Sequence, residues 1–324
     1  MSAAERVNPF GRRLDIRHIL STSPPLQDHV LPGLLAGTVG MLAGPGGIGK
    51  TMFELQVALA VACGGSICGG LFENTEGDTM KARKPGRVVL VAAEEVVDVI
   101  WHRLHAIVAT LLERPELLGT DADPAKLMDL WEQNLHIYAL AGMPRVTLMD
   151  RDLAPTESFK QLMAACAGAR LVILDPFRRF HDSDENDSGE MTALIQQLQE
   201  LSVANKPAVI FAHHTNRSSN QMGLGDTADA ARGSTALSNG VRWQLNLSEP
   251  TKVAARSLGI DEADRKSYVL VDIAKANYLP PQRTQVLERL AGGVLMLDGK
   301  AREAEDVAKP TRVKAKPRLR AVQS

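Results

Sequence analysis

Several things are scarce in this chain of 324 residues, and each scarcity excludes something. There are three cysteines, Cys63, Cys68 and Cys166. They are too few for a disulfide framework and include no close metal-type pair, so buried small apolar thiols in a reducing cytosol are expected. Net charge is almost absent, with 37 Lys and Arg against 38 Asp and Glu. Any contact with a polyanion must therefore come from a local basic patch or from a channel formed on assembly. Long apolar runs are also missing. The longest, residues 55–63, contains Gln56 and is bounded by Glu54 and Gly64-Gly65, far short of the roughly 20 residues that a membrane span needs. The opening Met1-Ser-Ala-Ala-Glu-Arg6 has no apolar segment of the kind a secretory signal carries. No membrane insertion and a cytoplasmic location are the expectation. No internal repeat is visible. What is present, 44% hydrophobic and 23% charged residues, suffices for one large core or two small ones.

Residues 1–30 mix charges around a Ser23-Pro-Pro25 corner and read as an N-terminal arm. Beyond them, short aliphatic runs near 38–43, 87–92, 135–139, 170–174 and 208–212 alternate with helical stretches near 50–63, 95–112, 156–167 and 188–203. That alternation predicts an α/β fold whose mostly parallel sheet is flanked by helices. After about residue 240 the pattern changes to closely spaced strand candidates at 241–247, 267–274 and 293–297, an antiparallel extension of the same sheet edge. One domain over 31–298 follows. Residues 299–324, with Lys309, Arg312, Lys314, Lys316, Arg318 and Arg320, read as a flexible basic tail.

The strongest local signal is Gly44-Pro-Gly-Gly-Ile-Gly-Lys-Thr51, which matches G-x-x-x-x-G-K-[ST] between a strand candidate and an amphipathic helix. Glycines at 46, 47 and 49 permit backbone geometry that lets consecutive N–H groups wrap phosphates at a helix N-terminus. Gly44, Pro45, Gly46, Gly47, Ile48, Gly49, Lys50, Thr51 and Met52 thus form the expected ATP-binding set. Lys50 would reach the β- and γ-phosphates and Thr51 would ligate Mg2+.

Later strand ends supply the acids that hydrolysis requires. Arg170-Leu-Val-Ile-Leu-Asp175 is a buried run closed by a carboxylate, so Asp175 is the candidate to hold the magnesium shell; a helix-capping Asp is the plainer alternative. Arg87-Val-Val-Leu-Val-Ala-Ala-Glu-Glu95 ends in acid too, on a strand expected beside the phosphate-loop strand. Glu94 is the candidate to orient the attacking water, with Glu95 either a second candidate or the start of the next helix. Ala208-Val-Ile-Phe-Ala-His213-His214 closes a third strand. His213 would sense the γ-phosphate, or else be satisfied by neighbouring backbone; a paired-histidine metal site is disfavoured because adjacent strand residues face opposite ways. His102 and His105, one helical turn apart, read as ordinary surface or core histidines.

Together with Ala92-Ala-Glu-Glu95, His102-Arg-Leu-His105, Leu174-Asp-Pro-Phe-Arg-Arg-Phe180, Ala231-Arg-Gly-Ser234, Val241-Arg-Trp-Gln244 and Ala274-Lys-Ala-Asn-Tyr278, these motifs resemble one family. The chain looks like the RepA-type hexameric replicative DNA helicases of broad-host-range mobilisable plasmids, relatives of the DnaB and RecA groups, over roughly residues 20–298. The resemblance implies a RecA-like core that hydrolyses ATP with Mg2+ at the interfaces of a homo-oligomer, a hexamer, moving on single-stranded DNA in concert with a replication initiator or primase. It makes Lys50 and Thr51 the nucleotide and magnesium ligands, Glu94 the catalytic carboxylate, Asp175 the Walker B acid, His213 the sensor and Arg242 an arginine finger given to the neighbouring subunit. Arg242 in an ordinary ion pair is the alternative. Many DnaB-like sequences carry an arginine two residues after the position of Lys275, where this chain has Asn277. That departure favours Arg242 or leaves Lys275 as a cationic helper. Arg178, Arg179 and Arg217 fall on loops that would face a ring's channel and its DNA, although Arg178 and Arg179 have Asp182, Asp184 and Glu185 as nearby partners. A non-unwinding RecA-like ATPase and a nucleotide-gated adaptor stay open beside the helicase.

Overall fold

The computed structural model describes residues 13–72, 84–118, 123–215 and 235–299. Its strands are β1 (His29–Leu31), β2 (Leu34–Leu35), β3 (Val39–Gly44), β4 (Val88–Ala92), β5 (Leu135–Ala139), β6 (Leu171–Asp175), β7 (Ala208–His214), β8 (Trp243–Ser248), β9 (Tyr268–Ala276), β10 (Gln285–Arg289) and β11 (Leu295–Leu297). The helices are α1 (Ile16–Ser21), α2 (Lys50–Cys63), α3 (Val97–Glu113), α4 (Pro124–Asn134), α5 (Glu157–Ala165), α6 (Ser188–Asn205), α7 (Thr235–Gly240) and α8 (Lys252–Ser257).

Nine strands form one sheet in the order β11-β10-β9-β8-β3-β7-β6-β4-β5. From β8 to β5 every pairing is parallel, and β9, β10 and β11 add antiparallel strands at the other edge. The expected architecture is therefore present, with two differences. β4 does not lie beside β3, because β7 and β6 intervene; parallel crossovers can skip positions, and sequence order does not reveal which are skipped. β8, expected to open the antiparallel extension, pairs parallel with β3, so the reversal begins at β9. The sequence pattern also missed α1, α4, α7, α8, β10 and the β1–β2 hairpin; all but α4, of 11 residues, are six residues or shorter.

Period-two side-chain alternation sorts the parallel strands into two cores. Leu42, Val88, Leu90, Leu171, Ile173, Ala208 and Ile210 face α2, α3 and α4. Val39, Met41, Val89, Val172, Leu174, Val209 and Phe211 face α5 and α6. α2 is apolar nearly all round and is correspondingly enclosed: each of its residues except Thr51 is buried. Trp131 Nε1 donates to Leu59 O at 3.1 Å and Asn134 Nδ2 to Ala62 O at 2.8 Å, tying α4 onto α2.

Residues 13–28 are exposed throughout, and burial begins at Val30. Arg170 pins the entry to the sheet by a two-pronged bond to Asp28, at 2.9 and 2.7 Å. The three cysteines are buried and unpaired by disulfide. Among the described residues no helix is long and apolar enough to cross a membrane.

Candidate nucleotide-binding site

β3 runs through the middle of the sheet and delivers its C-terminal end to a loop that turns directly into α2. Gly47 (φ 79°) and Gly49 (φ 103°) hold the left-handed backbone that the turn demands and that a Cβ would strain. Around Gly46 and Gly47 a Cβ would meet nothing within 4 Å, so the loop opens onto a cleft. Lys50, only 5% exposed, folds back across the loop: its ammonium donates to Gly44 O at 2.8 Å and Pro45 O at 3.1 Å. Burial holds its pKa below the ordinary lysine value, against the opposing pull of Asp175, Glu54 and Glu94.

Asp175 closes β6 on the α2 side, two residues beyond Ile173, and accepts from the Thr51 hydroxyl at 2.7 Å. Glu54, one turn further along α2, is buried with its carboxyl against that of Asp175. Burial, reinforced by the Asp175 carboxylate, pushes its pKa well above the usual range. Sequence reasoning passed over Glu54; its one signal was a lone acid inside an apolar helix, four residues after Lys50.

The two histidines of β7 part company. Ile210 faces α2, and so His214, four residues on, does too: its Nδ1 lies 3.0 Å from Lys50 Nζ. A lysine ammonium has only donors, so Nδ1 accepts and His214 is neutral with its proton on Nε2. Burial, then Lys50, lowers its pKa. His213, the expected sensor, points with Phe211 into the opposite core, where its Nε2 has no partner among the described residues. Burial depresses its pKa to about 4, assisted by His214 and Lys50.

Glu94 reaches the same cleft two residues beyond Ala92, which pairs with Asp175. It is half exposed and 3.9 Å from Arg179 Nε, while Glu95 forms a 2.6 Å ion pair with Arg103. A cleft of about 360 Å³ is lined by Gly47, Lys50, Thr51, Glu94, Asp175 and His214, together with Arg289 of β10.

Residues 4–220 match the family model of the AAA domain, AAA_25. The chain belongs to this AAA family. It is also similar in structure to the ATPase domain of G40P, with a TM-score of 0.49 and 16% identity over 82% of this chain and 85% of that one. A DnaB-like replicative helicase solved with regard to its interactions with primase gives a TM-score of 0.50 and 17% identity over 81% of this chain. That match takes in 57% of the helicase chain, and it shows a shared fold. The AAA-family protein described here thus has the RecA-like P-loop fold of DnaB-like helicase ATPase domains.

The donor set fits a nucleotide with a divalent cation. Thr51 Oγ1 and Asp175 Oδ2 are hard oxygens on the rim of the loop, which suits Mg2+ holding the rest of its shell as phosphate oxygens and water. Bound there, the cation would neutralise charge on the phosphates. Among the described residues no group of three His, Cys, Asp or Glu side chains is arranged to cage a metal alone.

The remaining expected residues lie elsewhere. Arg242 precedes β8 and is exposed; its N–H bonds Val39 O at the start of β3, the opposite end of the sheet from the phosphate loop. Lys275 lies near it, and its ammonium bonds Ser238 O at 2.7 Å at the end of α7. Neither meets its own subunit's cleft. Arg178 Nη1 is bound to Ser183 O at 3.0 Å, with Glu185 3.9 Å from Nε. Arg217 is outside the described residues.

Proposed function

We propose that this protein is an ATP-driven helicase of the ring type, translocating on single-stranded DNA and hydrolysing ATP at the interfaces between subunits. One observation carries the reading: Arg242 and Lys275, the two candidate trans-acting cations, sit at the end of the sheet away from their own phosphate loop. A cleft holding Lys50, Thr51, Glu94, Asp175 and His214 has what is needed to bind the triphosphate and orient water. A second subunit's cation would neutralise charge on the transferring phosphoryl group and so tie turnover to assembly. The DnaB-like neighbour is a replicative helicase that interacts with primase, which supports primase as a partner; single-stranded DNA and a replication initiator are proposed beside it.

In this reading Glu94 orients the attacking water and Asp175 and Thr51 hold Mg2+. His214 takes the γ-phosphate sensing role that the family resemblance gave to His213. Residues 31–298 form the working unit, and Arg178, Arg179 and Arg217 contact the DNA backbone.

The test is complementation between two inactive variants. Lys50→Ala has an intact Arg242 and a disabled site; Arg242→Ala has an intact site and no finger. Each alone hydrolyses little ATP with single-stranded DNA present, and mixed rings recover activity. Absence of recovery, or wild-type turnover by Arg242→Ala, removes the finger. DNA-stimulated ATPase without fork unwinding would leave a non-unwinding ATPase instead.

A further inference from the structure

Arg179 approaches the cleft from the turn that follows β6. Phe177 and Phe180, on either side of it in the chain, are both enclosed in the core that faces α5 and α6. Its own N–H donates to Pro176 O at 3.1 Å. Arg145 clamps the far side of the turn, donating from Nη2 to His181 O at 2.6 Å and pairing with Asp182. The backbone at Arg179 is therefore a fixed mount, and the side chain is the part left to move. Its neighbour Arg178 is engaged within the turn itself, because Nη1 is bound to Ser183 O at 3.0 Å and Glu185 lies 3.9 Å from Nε. Arg179 instead turns toward the rim of the cleft, where its Nε lies 3.9 Å from Oε1 of Glu94, with both side chains half exposed.

The strength of that contact is what gives it a use. An exposed ion pair at 3.9 Å is beyond hydrogen-bond distance and weak in water. A guanidinium binds better to an anion that takes two of its N–H groups at once, as a phosphodiester oxyanion does. Glu95, by contrast, is held by Arg103 at 2.6 Å, so of the two adjacent carboxylates Glu94 has the looser tie. We propose that Arg179 is a positioning residue that restrains Glu94 between turnovers and releases it when a nucleic-acid phosphate takes the guanidinium. Orienting the attacking water requires a carboxylate oxygen within hydrogen-bond reach of it. While the pair stands, Oε1 of Glu94 faces Arg179. A phosphate on Arg179 leaves both carboxylate oxygens to the water, so hydrolysis follows engagement of the strand. The inference deepens the helicase reading and rests on its assignment of Glu94 to the water and of Arg179 to the DNA backbone.

Steady-state ATPase of the full chain, without and with single-stranded oligodeoxythymidine, tests the contact. Loss of a restraint makes the enzyme faster in the absence of DNA, which damage to the fold does not do. Arg179→Ala is expected to raise the DNA-free kcat at least about fivefold, with KM for ATP within about twofold of wild type, and to lose most of the stimulation by DNA. Arg179→Lys keeps a cation able to pair with Glu94 and is expected to return the DNA-free kcat to within about twofold of wild type. An unchanged or lowered DNA-free kcat in Arg179→Ala, or a rise that lysine does not reverse, overturns the proposal. A wild-type protein that hydrolyses ATP without stimulation by DNA overturns the helicase reading and the release step with it; the DNA-free rates of the two variants then still decide the restraint.

Discussion

Lys50 Nζ and His214 Nδ1 lie 3.0 Å apart although 164 residues separate them in the chain. The contact makes His214 an acceptor toward the lysine and leaves its Nε2–H directed elsewhere in the cleft, available as a neutral donor. Replacing His214 with Ala should therefore lower kcat for ATP at least tenfold while changing ATP affinity by no more than about threefold, the signature of a group used in turnover more than in ground-state binding. The matched change His213→Ala should leave both within about threefold if the variant is folded. Steady-state kinetics with equilibrium ATP binding decides; a larger kcat loss at His213 would reverse the roles.

Thr51 and Asp175 make a second prediction. Their 2.7 Å hydrogen bond sets a hydroxyl and a carboxylate on the rim of the phosphate loop. Asp175→Asn keeps the shape and removes the charge that would order the magnesium shell, so the Mg2+ concentration for half-maximal ATPase should rise at least tenfold. Thr51→Ala should move it in the same direction. Titration of Mg2+ at saturating ATP reads this out, and an unchanged midpoint in both variants would remove the assignment.

The sequence disclosed these pieces unevenly, for physical reasons. Strands buried on both faces read as aliphatic runs, so β3, β4, β6 and β7 were visible within a residue or two, and the loop from Gly44 to Thr51 carries its chemistry in consecutive residues. Choosing between His213 and His214 needs the face of β7, which is fixed by its pairing with β6, Ile173 to Ile210 and Leu174 to Phe211. No local pattern contains that register. Arg289 was beyond reach for a related cause: its partner Ile48 is 241 residues away, on the far side of a strand, β10, that the pattern did not reveal. The displaced position of β4 shows the same limit, because the order of parallel strands is a property of crossovers and not of any one segment.

Acidification should destabilise the protein through two buried histidines. His213, 3% exposed, and His181, 1% exposed and in tilted ring contact with Phe177 at 5.0 Å, both have pKa values depressed to about 4, chiefly by burial. Below pH 6.5 the unfolded chain takes up protons that the native state refuses. Their contribution is thus complete above that pH and is lost as pH falls toward 4, on the order of 3 kcal/mol for each at most. His213→Leu should flatten the fall. Urea denaturation at pH 7.5, 6 and 5 measures it, and a slope equal to that of wild type would show that His213 is accessible to protons in the folded protein.

Gln56 makes the last prediction, because its side chain fastens the C-terminal extension to the phosphate-loop helix. Its Oε1 accepts from Leu295 N and its Nε2 donates to Leu295 O, all within apolar surroundings. Gln56→Leu matches the volume but strands both backbone groups of Leu295, each costing about 1–3 kcal/mol when left buried and unpaired. Unfolding free energy should fall by about 2–6 kcal/mol in total. Urea denaturation of both proteins measures the fall, and an unchanged midpoint would show that the backbone groups of Leu295 find other partners once the glutamine is gone.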